Sequence, residues 1–260
     1  MLHDQVLKWL TETGFPLEMS AAAAFRAAGF EVRQSTTYAD AQTEKSREID
    51  VLAEDPDFYG FVDLSVVVEC KSSTKPWIVL IANDTLQSHN ILRTFGVMSD
   101  PARLVLSRTS VEALEVAPFL RQQGRAGYSL RQAFAKDVDP AYGAAMNLLA
   151  ACRGVIPEKA WGNWPVLAVV VPVLVVDSPI LECELLDDGT LKLTEVEATE
   201  FLFSAHLPKQ TICAVRITRI EKVGQLALDL RAAFKALRAD FKIEEDRILT
   251  ELKSASKLPE

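Results

Sequence analysis

Residues 46–73 read SREIDVLAEDPDFYGFVDLSVVVECKSS and contain two β-strand patterns joined by a short connection. Apolar residues dominate 47–53 and 61–71, whereas the acidic residues, proline and glycine of 54–60 are typical of a turn. Asp50 lies in the middle of the first run, and Glu69 and Lys71 lie at the end of the second.

Strand periodicity predicts how these charged side chains are arranged. Alternate residues of a strand face the same side, so Glu48 and Asp50 should share one face, with Ile49 and Val51 on the other. Glu69 and Lys71 share a face for the same reason. Pairing the two strands would therefore bring Asp50, Glu69 and Lys71 together beside long apolar runs, where charged groups are costly unless they are paired or metal-bound.

The sequence on the amino-terminal side predicts two helices and a strand. The first helix covers about 3–11, and the second begins at Pro16, a favourable first-turn residue, and stops at Gly29. A strand at 30–38 follows and precedes the pair described above.

On the carboxyl-terminal side, helical and strand-like segments alternate. Asp139 or Pro140 starts a helix that runs to about Arg153, and Asp187-Asp188-Gly189 is a hairpin signal. The other expected elements are a helix at 83–94, a short strand at 102–107, an apolar strand at 165–176, strands at 181–186, 190–196, 200–206 and 211–220, and a last helix at 223–241. This order predicts an α/β (α+β) fold around a mixed sheet, and without an evident linker we expect a single domain over 1–260.

Composition and charge narrow the classes of protein. The chain has four cysteines without a CxxC pair and only three histidines, which argues against a zinc site and suits a reducing compartment. The amino terminus lacks a signal-peptide pattern, and the apolar run 165–176 is too short to span a bilayer as a helix. We therefore expect a cytoplasmic protein with no membrane partner.

The net charge of −8 hides an uneven distribution. Residues 71–136 contain nine lysines and arginines against four acids, which makes this segment +5 and the rest of the chain −13. The negative net charge argues against a nucleic-acid-binding protein but does not exclude one. Acidic residues that bind a metal ion are neutralised by its charge.

Two carboxylates beside a lysine suit one kind of chemistry. Carboxylate oxygens are the ligands that a hard divalent cation such as Mg²⁺ prefers. Such a cation can bind a phosphate oxygen and lower the pKa of an attacking water. A nearby lysine can orient that water or stabilise the charge that develops on phosphorus oxygens.

With Asp50 followed by Glu69-Cys70-Lys71 one strand later, the sequence resembles the PD-(D/E)xK, or restriction-endonuclease-like, nuclease superfamily. Glu18, in FPLEMSAAAAFRAAGFEV, matches the acid on the preceding helix of many members. Ile49 stands where the family name has proline, which is common among members. The Gln-xxx-Tyr element of the exonuclease branch is not found, so the subfamily stays open.

The resemblance implies an αβββαβ core with a mixed central sheet and hydrolysis of phosphodiester bonds by a Mg²⁺-activated water. Glu18, Asp50, Glu69 and Lys71 would be the catalytic residues. Asp50, Glu69 and the backbone carbonyl of Cys70 would be metal ligands, Glu18 would assist the metal directly or through water, and Mn²⁺ could substitute for Mg²⁺. The core signature covers about 14–75, and about 178–250 would be a carboxyl-terminal elaboration of strands and a helix.

Nucleic acid, most plausibly DNA, is the expected partner, and a homodimer is compatible with the resemblance. Lys75 and Arg47 are candidate contacts to nucleic acid, and Trp77 is either a base-stacking residue or, as we favour, a core residue. No separate sequence-reading module is recognised, so strong sequence specificity is not expected.

The same residues also have purely structural interpretations. Asp50, Glu69 and Lys71 could form a structural ion-pair network, and Glu18 could be an exposed first-turn acid favoured by the helix dipole. Glu48 lies on the expected face of the site, but we interpret it as a residue at the strand edge or beside the site rather than as a ligand. For the whole protein, the alternatives are a catalytically inactive nuclease fold that acts as a binding module, and an RNA nuclease.

Overall fold

The computed structural model of the protein describes residues 1–40, 45–55, 57–85, 89, 91–120, 126–135, 139–156 and 164–255. These residues form a mixed α/β structure in which helices cover a large mixed sheet. No helix within them is both long enough and apolar enough to cross a lipid bilayer.

The helices are α1 (Leu2–Thr11), α2 (Phe15–Ala27), α3 (Ile91–Phe95), α4 (Asp100–Leu106), α5 (Pro140–Val155) and α6 (Val223–Ala255). The strands are β1 (Glu31–Ala39), β2 (Ser46–Asp55), β3 (Val62–Lys71), β4 (Trp77–Ala82), β5 (Val97–Met98), β6 (Ala126–Gln132), β7 (Leu167–Val176), β8 (Ile180–Leu185), β9 (Leu191–Val196), β10 (Ala198–Leu207) and β11 (Lys209–Arg219).

The described strands form one sheet in the order β1-β2-β3-β7-β11-β10-β6-β4-β8-β9, with β5 paired to β7. Strand β2 pairs antiparallel with both β1 and β3, and β3 and β7 are parallel over their whole length. The hairpin expected at Asp187-Asp188-Gly189 is confirmed: β8 and β9 are antiparallel, and Gly189 has a φ of 81°, which glycine adopts at no steric cost.

The sheet separates two hydrophobic cores. The first lies between the sheet and helices α2 and α6, and includes Phe25 and Phe234; the second lies under α5, and includes Trp77 and Leu148. Strand β7 contributes to both, and all ten of its residues are buried. This explains why the sequence of β7 is continuously apolar rather than alternating.

Pro172 lies inside this central strand, where proline is unusual because it lacks a backbone N–H. It pairs with Val67 of β3 on one side. On the other side it falls in a gap: β5 pairs with β7 as far as Val170, and pairing with β11 begins at Val173. The missing N–H is tolerated because neither β5 nor β11 pairs with β7 at Pro172.

Two expectations about secondary structure were wrong. Residues 102–107 are not a strand, because α4 covers them and continues from the N-cap residue Ser99. The helix expected at 83–94 is only the short α3, with residues 86–88 and 90 outside the described part of the chain. Strands β4 and β6 were missed, and α6 extends beyond the expected end at 241 to Ala255.

Ser99 joins α4 to the central strand. Its hydroxyl donates a hydrogen bond to the carbonyl of Val166 at 2.6 Å, and it accepts hydrogen bonds from the N–H groups of Ala168 at 3.0 Å and Ala102 at 3.3 Å. One buried side chain therefore caps the helix and satisfies backbone groups beside β7.

We expect Ser99→Ala to lower the free energy of unfolding by about 1–3 kcal/mol, because it leaves buried backbone groups without a partner. Chemical denaturation measures this change. Ser254→Ala, at the exposed end of α6, is the control and should change stability by less than about 0.5 kcal/mol. Equal stability of Ser99→Ala and wild type would contradict the role given to this hydroxyl.

Asp63 of β3 lies on a half-buried part of the sheet near Glu54 and Arg33. Burial, and secondarily the charge of Glu54, raise the pKa of Asp63 to about 6, although Arg33 and Arg238 lower it in part. The folded protein therefore binds a proton at Asp63 more tightly than the unfolded chain does.

Because the folded pKa is above the unfolded value, the favourable contribution of protonated Asp63 is present below about pH 4 and is lost as the pH rises through about 6. Asp63→Asn should therefore raise the unfolding free energy at pH 8 by about 1–3 kcal/mol and change it little at pH 4. Denaturation of both proteins at the two pH values, with exposed Asp187→Asn as the control, tests this. The same change at pH 4 and pH 8 would contradict the assignment to Asp63.

Candidate active site

The candidate site lies where β2 and β3 stop pairing. Their antiparallel ladder ends at Val51 opposite Val68. Beyond that point the carboxylate of Asp50 takes the place of a backbone acceptor, since its Oδ2 receives a hydrogen bond of 2.7 Å from the N–H of Cys70. The expected proximity of Asp50 to the Glu69-Cys70-Lys71 segment is therefore present in the structure.

The pairing between β1 and β2 is also interrupted at Asp50. Gln34 pairs with Val51 and Thr36 with Ile49, so that Ser35 and Asp50 are skipped. Ser35 has a φ of 50°, a left-handed conformation that is uncommon for residues other than glycine. Asp50 is thus released from the ladders on both of its sides.

This interruption corrects one expectation about the faces of β2. Ile49 and Val51 do not share a face: Ile49 packs in the core under α5, whereas Val51 packs in the core under α2 and α6. Strict alternation fails because the irregular backbone at Ser35 and Asp50 shifts the pleat by one residue.

Glu69 and Lys71 face each other at the end of β3. The Nζ of Lys71 lies 2.5 Å from Oε1 of Glu69. Glu69 is buried, and the side chain of Asn147 on α5, itself exposed, partly lowers the pKa of the Glu69 carboxyl. Helix α5 therefore brings a polar side chain to Glu69.

Asn147 was not identified from the sequence. Its only signal there is that it is a polar residue in the apolar run AAMNLLAA at 144–151. A polar residue at such a position is usually just the solvent side of a helix, so only the packing of α5 on the sheet shows which side chain it meets.

Glu18 reaches the same site from α2. Burial raises the pKa of its carboxyl, and the nearby charges of Asp50, Glu48 and Glu69 raise it further, while Lys71 lowers it in part. An acid that only benefited from the helix dipole would have a lowered pKa. Burial and, secondarily, the charges of the site therefore determine the direction of the shift at Glu18.

The site carries an excess of negative charge. Burial is the main cause that raises the pKa of Asp50 and of Glu69; the Cys70 N–H and Lys71 oppose it at Asp50, and Lys71 opposes it at Glu69. Burial lowers the pKa of Lys71, but its contact with Glu69 outweighs this and the pKa is raised. One ammonium group thus faces several carboxylates, which is an arrangement that a bound cation would stabilise.

The donor atoms suit a hard cation. Asp50 and Glu69 offer carboxylate oxygens, and Cys70, which follows Glu69 directly, offers a backbone carbonyl. Together they are an all-oxygen set of the kind Mg²⁺ binds. Within the described residues, no group of three or more His, Cys, Asp or Glu side chains is arranged to hold a metal ion. A cation held by Asp50, Glu69 and the Cys70 carbonyl would need water or further ligands to complete its shell, and the direct or water-mediated role of Glu18 stays a prediction.

The other sequence candidates have different partners. The guanidinium of Arg47 pairs with the buried carboxylate of Asp40 at 2.5 Å, and Nζ of Lys75 donates a hydrogen bond of 3.1 Å to the carbonyl of Phe134. Trp77 is almost fully buried in the core under α5, so the interpretation as a core residue is confirmed. Glu48 is exposed and acts on the pKa values of Glu18 and Asp50 through its charge.

Comparisons of the chain with family models, with curated proteins and with solved structures give no match. The chemistry of the site has to be argued from its own residues.

Asn147→Ala should raise the pKa of Glu69, because the hydrogen bond from the amide stabilises the charged form of this carboxylate. Titration of the side-chain carboxyl carbons of ¹³C-labelled glutamate by NMR measures the change, with Glu69→Gln to assign the resonance. Asn83→Ala is the matched control, since Asn83 contacts Glu184 elsewhere on the sheet. An unchanged or lowered pKa of Glu69 would show that Asn147 does not stabilise its charge.

Proposed function

We propose that the protein is a Mg²⁺-dependent nuclease that hydrolyses phosphodiester bonds, with DNA as the favoured substrate. The observation that carries the proposal is the convergence of Asp50, Glu69 and Lys71 where β2 and β3 separate. Three charged side chains from two adjacent strands meet there with Glu18 nearby on α2, and a cation would offset their excess negative charge.

The order of elements supports the same proposal. Helix α2 is followed by three antiparallel strands β1–β3, and α5 precedes β7, which is parallel to β3. With the segments between β3 and α5 set aside, this order agrees with the αβββαβ core that the resemblance implies. The segments between β3 and α5 and after β7 would then be additions to that core, including the strands that extend the sheet.

Each residue of the site would have a separate role in hydrolysis. Asp50, Glu69 and the Cys70 carbonyl would hold the cation, with Mn²⁺ able to replace Mg²⁺. When bound, such a cation supplies a Lewis acid for a phosphate oxygen and lowers the pKa of a water ligand. Lys71 orients the attacking water or stabilises charge on the phosphate, and Asn147 keeps the carboxylate of Glu69 in place.

Glu18 would assist the cation from α2, directly or through water. Burial and the nearby carboxylates raise its pKa, and a cation bound at Asp50 and Glu69 would oppose this shift. Lys75 extends from the segment that follows Lys71, and its contact with a backbone carbonyl leaves its charge available to a phosphate.

Asp50→Ala and Lys71→Ala should each lower metal-dependent cleavage by at least about 100-fold, because they remove a metal ligand and the charge that acts on the phosphate. The substrates are linear, circular, single-stranded and structured DNA with RNA in parallel, each with Mg²⁺, Mn²⁺ or EDTA. Asp187→Ala and Lys192→Ala, in the exposed β8–β9 hairpin, are the matched controls and should cleave like wild type.

The same panel separates the alternatives. Cleavage of RNA alone would indicate an RNA nuclease. Folded wild-type protein that cuts no substrate would contradict the proposal and favour a binding module with the same fold. Equal cleavage by all variants would show that the activity comes from a contaminant or from another site.

A further inference from the structure

A second place in the molecule gathers charge of the opposite sign. A cavity of about 650 Å³ lies among α3, β5, the start of α4, the end of α5 and the start of β11. Its basic lining residues are His89, Arg93, Arg103, Arg153 and Lys209, and its acidic one is Asp100. In a chain of net charge −8 this is a local reversal of charge.

Three of the basic residues that line this cavity have at most a distant carboxylate partner within the described residues: Arg103, Arg153 and Lys209. In the described part of the chain, Arg153 and Lys209 have no carboxylate partner, and the guanidinium of Arg103 meets only Asp100, at the long distance of 3.8 Å. Arg153 is half-buried at the end of α5. A half-buried guanidinium without a protein anion is costly unless water or a ligand anion binds it.

The rest of the lining is apolar or neutral. Gly96, Val97 and Met98 at β5, and Thr211 and Ile212 of β11, belong to this part of the lining. The volume lies within the range of small-molecule sites, which run from about 300 to 1,000 Å³, and exceeds what a single inorganic anion needs. A ligand that fits has phosphate groups at one end and a flat, less polar group at the other.

We propose that this cavity binds a free nucleotide. Arg103, Arg153 and Lys209 bind its phosphate groups, because guanidinium and ammonium donors match phosphate oxygens. Asp100 accepts hydrogen bonds from the ribose hydroxyls, and the base lies against the half-buried Ile212 beside Gly96. A single carboxylate among cations suits such a ligand, since a site for phosphate alone would gain nothing from it.

The cavity is separate from the candidate active site. Val97 and Met98 pair with Val170 and Val169 of β7, whereas Glu69 pairs with Leu174 of the same strand. Four to five strand residues therefore separate the two places, a distance of about 13–17 Å. Substitutions in the cavity can be made without touching Asp50, Glu69 or Lys71, and the proposal does not depend on the nuclease activity.

Isothermal titration calorimetry of the full chain in EDTA tests the proposal with ATP, GTP, CTP and UTP, and with inorganic triphosphate and adenosine as partial ligands. We expect at least one nucleoside triphosphate to bind with a Kd below about 1 mM. This Kd should also be lower than that of inorganic triphosphate or of adenosine. Arg153→Glu and Lys209→Glu should each weaken this binding by at least about tenfold.

Two control variants make the result specific. Lys192→Glu, an equal charge change on the distant strand β9, and Asp50→Ala should bind the nucleotide like wild type. Circular dichroism and thermal unfolding show whether each variant is folded, and Arg153→Lys should recover part of the affinity if the charge matters.

Several results would overturn the proposal. No binding of any of the four nucleotides is one, and an equal loss of affinity in Lys192→Glu is another, since it would indicate a general charge effect. A fluorescein-labelled single-stranded 20-mer is titrated in parallel. Binding of this strand through Arg153 and Lys209 without binding of free nucleotides would show that the cavity holds a nucleic-acid backbone instead.

Discussion

The hydrogen bond from the N–H of Cys70 to the carboxylate of Asp50 is the contact on which the candidate site depends. A buried N–H that has lost its ladder partner needs another acceptor, and Asp50 supplies one at the point where β2 and β3 part. The same bond holds a carboxylate in a half-buried position despite the cost of desolvation. It therefore fixes the position of Asp50 relative to Glu69 and Lys71, which flank Cys70 in the sequence.

The neighbouring structure makes this arrangement possible from three sides. The left-handed Ser35 of β1 frees Asp50 from the other ladder, α2 brings Glu18, and α5 brings Asn147 to Glu69. Strand β7 pairs beside β3 and is fully buried. On its other edge it pairs with β5 up to Val170 and with β11 from Val173 onward, so that Pro172 falls between them. Opposite charges are then separated in space: acids collect at the end of β3, and cations collect around β5 at the cavity proposed to bind a nucleotide.

Much of the fold follows from local patterns in the chain. The helix boundaries near Pro16, Gly29 and Asp139 agree with the structure because proline, glycine and capping residues act on their own neighbours. Residues 102–107 show the limit of such patterns. Their apolar run resembles a strand, but the cap at Ser99 and its hydrogen bonds beside β7 make the segment helical. The last helix continues past its expected end at 241: Ile248 is still buried there, and ion pairs such as Lys242–Asp246 and Arg247–Glu251 support its exposed side.

The sequence by itself determined the order of helices and strands around residues 46–73 and the grouping of Asp50, Glu69 and Lys71, because strand periodicity and antiparallel pairing are short-range properties. Only the tertiary structure decided that Ile49 and Val51 face different cores, that Asn147 meets Glu69, and that Arg103, Arg153 and Lys209 line one cavity. The physical reason is the same in each case. These contacts join segments far apart in the chain, and their geometry is set by how α5 and β11 pack on β7, which no local pattern encodes.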